Sequence, residues 1–141
     1  VTGSPGTAPT AGEALGWVGF ELDCVDEAGV GRVHGVFLDA ESGAAAWLVV
    51  ALTRRGRGFL GRRRARAAVA VPARECAGMV GRAWTALDAA ALRAAPTVDA
   101  ARPLLREHEL TIAAHYGIAE SEGRSAEVVG RPGATVTARP T

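Results

Sequence analysis

The chain predicts a mainly β fold, an antiparallel meander organised around one central strand. Three observations predict it. Residues 44–52 form a run of nine uncharged, mostly apolar residues, too short to span a bilayer and rich in the Trp and Val that favour strands. Further runs bearing Val or aromatic residues flank it at 17–24, 31–38 and 65–71. Turn-forming clusters separate the first three runs, Asp26-Glu27-Ala28-Gly29 and Asp39-Ala40-Glu41-Ser42-Gly43, in which Gly supplies the positive φ that tight turns require.

Along the chain, residues 1–13 hold Gly, Pro, Thr and Ala without periodicity and predict a disordered tail. The main domain is expected over 14–99. Its first strand is read at 17–24, its second at 31–38 and its central strand at 44–52. Side chains alternate in a strand, so Trp47, Val49 and Ala51 face one way and Leu48, Val50 and Leu52 the other. Neither set carries charge, so both faces must be covered. The segment 53–64 is dense in Gly and Arg around Phe59-Leu60 and is long for a hairpin, which suits a two-stranded ribbon. A fourth strand, 65–71, stops at Pro72 for want of an N–H to give the ladder. A turn or short helical piece at 73–76 and a fifth strand at 79–87 follow. Asp88 is placed to cap a helix over 89–95, which must end before Pro96.

Residues 100–118 read as a linker and an amphipathic helix over 103–116. Leu105, Ile112, Ala113 and Tyr116 share one face, Pro103 suits the first turn, and Gly117 suits the left-handed stop. That stripe must pack on the domain's outer face or on a second copy. Residues 119–141 have few large apolar side chains and predict a disordered tail.

Of 141 residues only two are cysteines, Cys24 and Cys76, and none is Lys, Asn or Gln. The cysteines have no metal or redox spacing, so two idle thiols in a reducing cytoplasm are the expectation. No run is long enough for a membrane span, and a basic start with a hydrophobic core is missing at the N-terminus, so neither membrane insertion nor a signal peptide is expected. Net charge is +1, yet the seven Arg of 54–66 carry +7 and the remainder, nine Arg against fifteen acids, carries −6.

No catalytic constellation emerges. His108 and His115 lie seven apart, about 10 Å along a helix, too far to share a metal. Asp23, Asp26 and Glu27 fit ordinary turn chemistry. Ser4 and Ser42 lack a His–Asp context, and Gly29, Gly31 and Gly35 lead into a strand, not the helix a phosphate-binding loop needs. The expectation is no enzyme, no cofactor and no metal. The arginines Arg54, Arg55, Arg57, Arg62, Arg64 and Arg66 are the one charged feature suited to an anionic partner, because guanidinium forks bind phosphate or carboxylate in pairs. The bland alternative is a solvated hairpin.

The ordered set of Gly31-Arg32-Val33-His34-Gly35-Val36-Phe37-Leu38-Asp39, Glu41-Ser42-Gly43, Trp47-Leu48-Val49-Val50, Phe59-Leu60-Gly61 and the helix from Leu87-Asp88 to Pro96 resembles the PRC-barrel family over roughly 15–99. The resemblance implies a small, twisted, antiparallel and partly open β-barrel. Relatives include the cytoplasmic part of the photosynthetic reaction-centre H subunit and the C-terminal domain of the ribosome-maturation factor RimM. It therefore implies docking on proteins, not catalysis.

Three functions follow as expectations. The first is a cytoplasmic, non-enzymatic adaptor that binds protein and forms a homodimer, through a strand edge or the helix face of Leu105, Ile112 and Tyr116. The second is a ribosome- or RNA-associated factor using the Arg-rich hairpin. The third is an accessory subunit of a membrane or redox complex.

Overall fold

The computed structural model describes residues 9–39, 43–53, 68–99, 102 and 104–118. Its centre is the strand that the apolar run predicts. In chain order the elements are α1 (Ala11–Leu15), β1 (Glu21–Cys24), β2 (Glu27–Leu38), β3 (Ala45–Leu52), β4 (Ala68–Pro72), a 3-10 turn (Ala73–Glu75), β5 (Cys76–Met79), β6 (Arg82–Thr85), α2 (Ala89–Arg93) and α3 (Arg106–Tyr116). The six strands form one sheet in the order β4-β3-β2-β1-β6-β5.

The sheet is mixed, and among the described residues no pairing joins β4 to β5 to close it. The expected all-antiparallel sheet is corrected at one place: β1 and β6 run parallel, with Glu21 beside Arg82 and Asp23 beside Trp84. The cause is local. The segment 79–87, read above as one strand, is broken by a turn at Val80-Gly81, with Gly81 at φ 83°. Two short strands result, β5 and β6, paired from Cys76 opposite Thr85 to Met79 opposite Arg82. The hairpin reverses the chain, so β6 arrives beside β1 in the same direction.

The N-terminal part departs from expectation too. Residues 11–13 belong to α1, because Thr10 and Glu13 cap reciprocally: the Glu13 N–H donates to the Thr10 hydroxyl and the Thr10 N–H to the Glu13 carboxylate, each at 3.0 Å. That exchange satisfies two N–H groups a helix start leaves orphaned. The first strand begins at Glu21, not Trp17, since the chain turns between Gly16 and Gly19. Trp17 instead points into the core and lies over Gly78, where a Cβ would run into its indole. Gly31 is similarly required, because a Cβ there would stand 2.6 Å from the Ala51 carbonyl oxygen on β3.

Strand β3 is covered on both faces by two separate apolar clusters. Leu48 and Val50 join Val36, Val71, Leu22 and Leu92 in the first, which α1 and α2 close. Trp47 and Val49 join Phe37 and Ala70 in the second, which α3 closes with Ile112 and Ala113. Burying a Val or Leu side chain contributes about 1.5–3 kcal/mol, so a strand buried on two sides anchors the whole sheet. The turn into β3 is as expected: the Asp39 carbonyl accepts from the Gly43 N–H at 2.8 Å, with Gly43 at φ 75°.

Candidate docking surface

Alternation along each strand sorts the sheet into an inner face, the first cluster, and an outer face. Cross-strand partners place Trp47 and Val49 of β3, Arg32 and Phe37 of β2, Glu21 and Asp23 of β1, Arg82 and Trp84 of β6 and Met79 of β5 on that outer face. Its two halves differ in chemistry.

The first half lies under α3. The Trp47 indole N–H donates to Glu109 Oε2 at 2.8 Å, and Arg106 donates to Glu109 Oε1 at 3.1 Å. The Tyr116 hydroxyl donates to the Ala70 carbonyl at 2.8 Å, and burial pushes its ionisation above the usual phenol range. His115 Nε2 stands 2.8 Å from the Ala91 carbonyl oxygen, tying the helix end to α2. Gly117 ends the helix at φ 71° as expected. The helix starts at Arg106, with Leu105 as an N-cap that lends no side-chain bond; residue 103 lies outside the described residues.

The helix face named above is thereby corrected in composition. Ile112 is fully buried and Tyr116 half-buried against this chain's own sheet, while Leu105 is 59% exposed. Leu104 enters the cluster in its place. The face resolves as Leu104, Glu109, Ile112, Ala113 and Tyr116, and the stripe is satisfied within one chain.

The second half of the face is a ladder of ion pairs beside exposed apolar groups. Arg82 donates to both Asp23 oxygens, at 2.9 and 2.7 Å, and to Glu21 at 3.0 Å. Arg32 reaches Glu21 at 3.5 Å and the Gly19 carbonyl at 2.6 Å. Arg82, with the Gly29 N–H as a smaller second donor, outweighs partial burial and holds the Asp23 carboxyl below the usual carboxylate range. Such exposed pairs contribute little stability singly, about 0–1 kcal/mol each, but they fix the side chains of three adjacent strands. At the edge of this ladder stand Met79 (58% exposed), Val80 (99%) and Trp84 (36%), all on the β5–β6 hairpin.

The remaining polar residues serve the frame. Asp26 Oδ1 accepts from the Ala89 N–H and Asp88 Oδ1 from the Ala91 N–H, each at 2.9 Å. Arg93 clasps Glu27 at 3.1 and 2.6 Å. The β1–β2 turn is thus bolted to the start of α2. Cys24 and Cys76 are buried free thiols. Burial, aided by nearby Asp26 and Glu27, pushes Cys24 up to about 11. Burial alone dominates at Cys76 and pushes it up to about 12. At neutral pH both stay protonated, the weakly nucleophilic form.

His34 is exposed on β2, and among the described residues no three His, Cys, Asp or Glu come together as a metal site. No helix among them is long and apolar enough to cross a membrane. The arginines Arg54, Arg55, Arg57, Arg62, Arg64 and Arg66 lie outside the described residues. The last described residue before them is Thr53, whose N–H donates to the Val30 carbonyl at 2.8 Å. Comparison with protein-family models, with curated proteins and with solved structures finds no match to this chain.

Two features of this surface escaped sequence reasoning. The seat of α3 depends on Glu109, an acid on an otherwise apolar stripe, held by the distant Trp47 indole and by Arg106 one turn away. The Met79-Val80 display was hidden by reading its hairpin as one strand, and Gly81 was the signal that could have revealed it.

Proposed function

We propose that this chain is a non-catalytic docking module, a sheet of the PRC-barrel type that binds protein and associates with a second copy of itself. The observation that carries the reading is the display of Met79, Val80 and Trp84 on the β5–β6 hairpin. The apolar surface that Met79 and Val80 leave in water, with the exposed part of Trp84, gains free energy when a partner covers it. The ion-pair ladder beside them suits a presenting surface, since its charges are already matched and hold three strands in register. The ordered family-like segments and their meander around a doubly covered strand support the PRC-barrel part.

The test pairs sedimentation velocity on the wild-type chain, from sub-micromolar to high micromolar, with cross-linking in native lysate against a Met79→Ser, Val80→Ser double variant. Self-association of the wild type, with a protein cross-linked to it and lost from the double variant, supports the reading. A wild type that stays monomeric and captures the same proteins as the variant removes it.

A second reading rests on the seven Arg between 54 and 66. In it the segment lies along RNA, including ribosomal RNA, through phosphate contacts. Affinity then falls linearly with the logarithm of salt, with a slope set by the phosphates engaged. Serine at Arg62, Arg64 and Arg66 should reduce that slope; binding indifferent to salt removes this reading.

A further inference from the structure

The chain carries three sulfur atoms, in Cys24, Cys76 and its single methionine, Met79. The fold separates them by exposure. Cys24 and Cys76 are free thiols only 7% and 2% exposed, and the Cys76 thiol donates to the Pro72 carbonyl at 3.4 Å. They flank β6 on opposite sides, Cys24 on β1 and Cys76 on β5. Two strand spacings put them about 9.5 Å apart, beyond the ~7 Å that a disulfide can bridge. Burial also keeps both protonated at neutral pH, the form that oxidants attack slowly.

Met79 is the reverse case. It ends β5, is 58% exposed and adjoins Val80, which is 99% exposed, so an oxidant in water reaches its thioether directly. Arg82 stands opposite it across the hairpin. The bonds from Arg82 to Asp23 and Glu21 use Nε and Nη2. Among the described residues no hydrogen bond engages Nη1, so a donor for an added oxygen stands on the neighbouring strand. A thioether accepts hydrogen bonds weakly, whereas a sulfoxide is polar.

We propose that Met79 is a redox switch: hydrogen peroxide converts its thioether to the sulfoxide, and the sulfoxide withdraws the β5–β6 hairpin from docking. A sulfur lone pair attacks one peroxide oxygen; the S–O bond forms, the O–O bond breaks, sulfur is oxidised by two electrons and the peroxide is reduced to water. Sulfoxide reductases reverse the step with two thiols, which leave as a disulfide while the oxygen departs as water. A partner that covers Met79 must strip water from the new oxygen, which opposes binding, and a bond from Arg82 Nη1 holds that oxygen at the surface. The inference rests on the docking reading above and adds its regulation.

The test treats the full chain with hydrogen peroxide at neutral pH, locates added oxygen by peptide mass and titrates the thiols in denaturant. One oxygen at Met79 is expected, with both thiols intact and the circular dichroism unchanged. Docking, measured by sedimentation and cross-linking as above, should weaken at least tenfold and return after treatment with sulfoxide reductases for both epimers and dithiothreitol. Met79→Leu, which stays apolar and holds no sulfur there, should dock equally before and after peroxide. Oxygen that reaches either cysteine before Met79 overturns the proposal. So does an oxidised wild type that docks as the reduced one does, or a Met79→Leu that loses docking to peroxide as the wild type does; these three results leave the docking reading standing. A reduced wild type that docks on nothing removes that reading, and the switch with it.

Discussion

The Trp47 indole N–H donates to the Glu109 carboxylate across 2.8 Å, joining residues 62 positions apart in a buried setting. Trp47 is on the central strand and Glu109 on the last described helix, so this bond sets where α3 lies along the outer sheet face. A buried polar group left without its partner costs about 1–3 kcal/mol. Trp47→Phe removes the donor and keeps most of the ring. A loss of about 1–3 kcal/mol in urea unfolding is expected, largely restored when Glu109→Gln is combined with it, because the amide tolerates a missing donor better than a carboxylate does.

Val50→Asp should unfold the chain. Val50 is fully buried in the first cluster, where an unpaired carboxylate costs several kcal/mol against a total stability of about 5–15 kcal/mol for an ordinary domain. A folded circular-dichroism spectrum for this variant would show that β3 is not enclosed on its inner side.

Two glycines should respond in opposite directions to the same change. At Gly78 an added Cβ collides with the Trp17 indole, so Gly78→Ala should destabilise by about 1–3 kcal/mol, the usual cost of overpacking. At Gly12, inside α1, a Cβ meets nothing within 4 Å, so Gly12→Ala should raise stability by up to about 1 kcal/mol through helix propensity. Thermal melts of the two variants against wild type compare them directly.

Acid should weaken the molecule partly through Asp23. Its folded-state ionisation lies below the ordinary value of 3.8, chiefly because Arg82 bonds the carboxylate. A depressed acid contributes stability that is present above its unfolded pKa and is lost as pH falls through the folded one. Stability of the wild type should therefore decline below about pH 4, and Asp23→Asn should show a shallower decline over the same range. Denaturant midpoints at stepped pH give the comparison.

Alkali should act through the thiols. Cys24 and Cys76 ionise near 11 and 12 in the fold against an ordinary 9.0. A raised acid keeps its full contribution below the unfolded pKa and loses it as pH rises towards the folded one. Denaturant midpoints should fall between pH 9 and pH 11, and Cys76→Ala should lessen that fall. At pH 8 both thiols should react with a disulfide reagent at the rate of unfolding, not at the rate of a free thiol.

The parts of this structure legible in the sequence are those that local chemistry decides. The uncharged run around Trp47 announces a strand with two buried faces. Gly43 marks its turn, Asp88 caps α2 through the Ala91 N–H, and Gly117 stops α3. What stayed hidden depends on the path of the whole chain or on a partner far away. The parallel pairing of β1 with β6 follows from a reversal at Gly81 that periodicity across 79–87 masks. Leu104, not Leu105, points inward because α3 begins at Arg106, and Glu109 reads as a solvent residue until Trp47 is placed opposite it. The short α1 passed as tail because five residues show no helical period, although Thr10 and Glu13 carry its capping signature.

The most direct single measurement is hydrogen exchange of the three tryptophan indole protons by NMR. The Trp47 proton should exchange far more slowly than that of the part-exposed Trp84 and show cross-relaxation to Tyr116, whose ring centroid lies 6.5 Å away. A Trp47 proton that exchanges as fast as that of Trp84, with no contact to α3, would mean the central strand lies open on its outer face, and the two-sided burial on which the fold depends would be wrong.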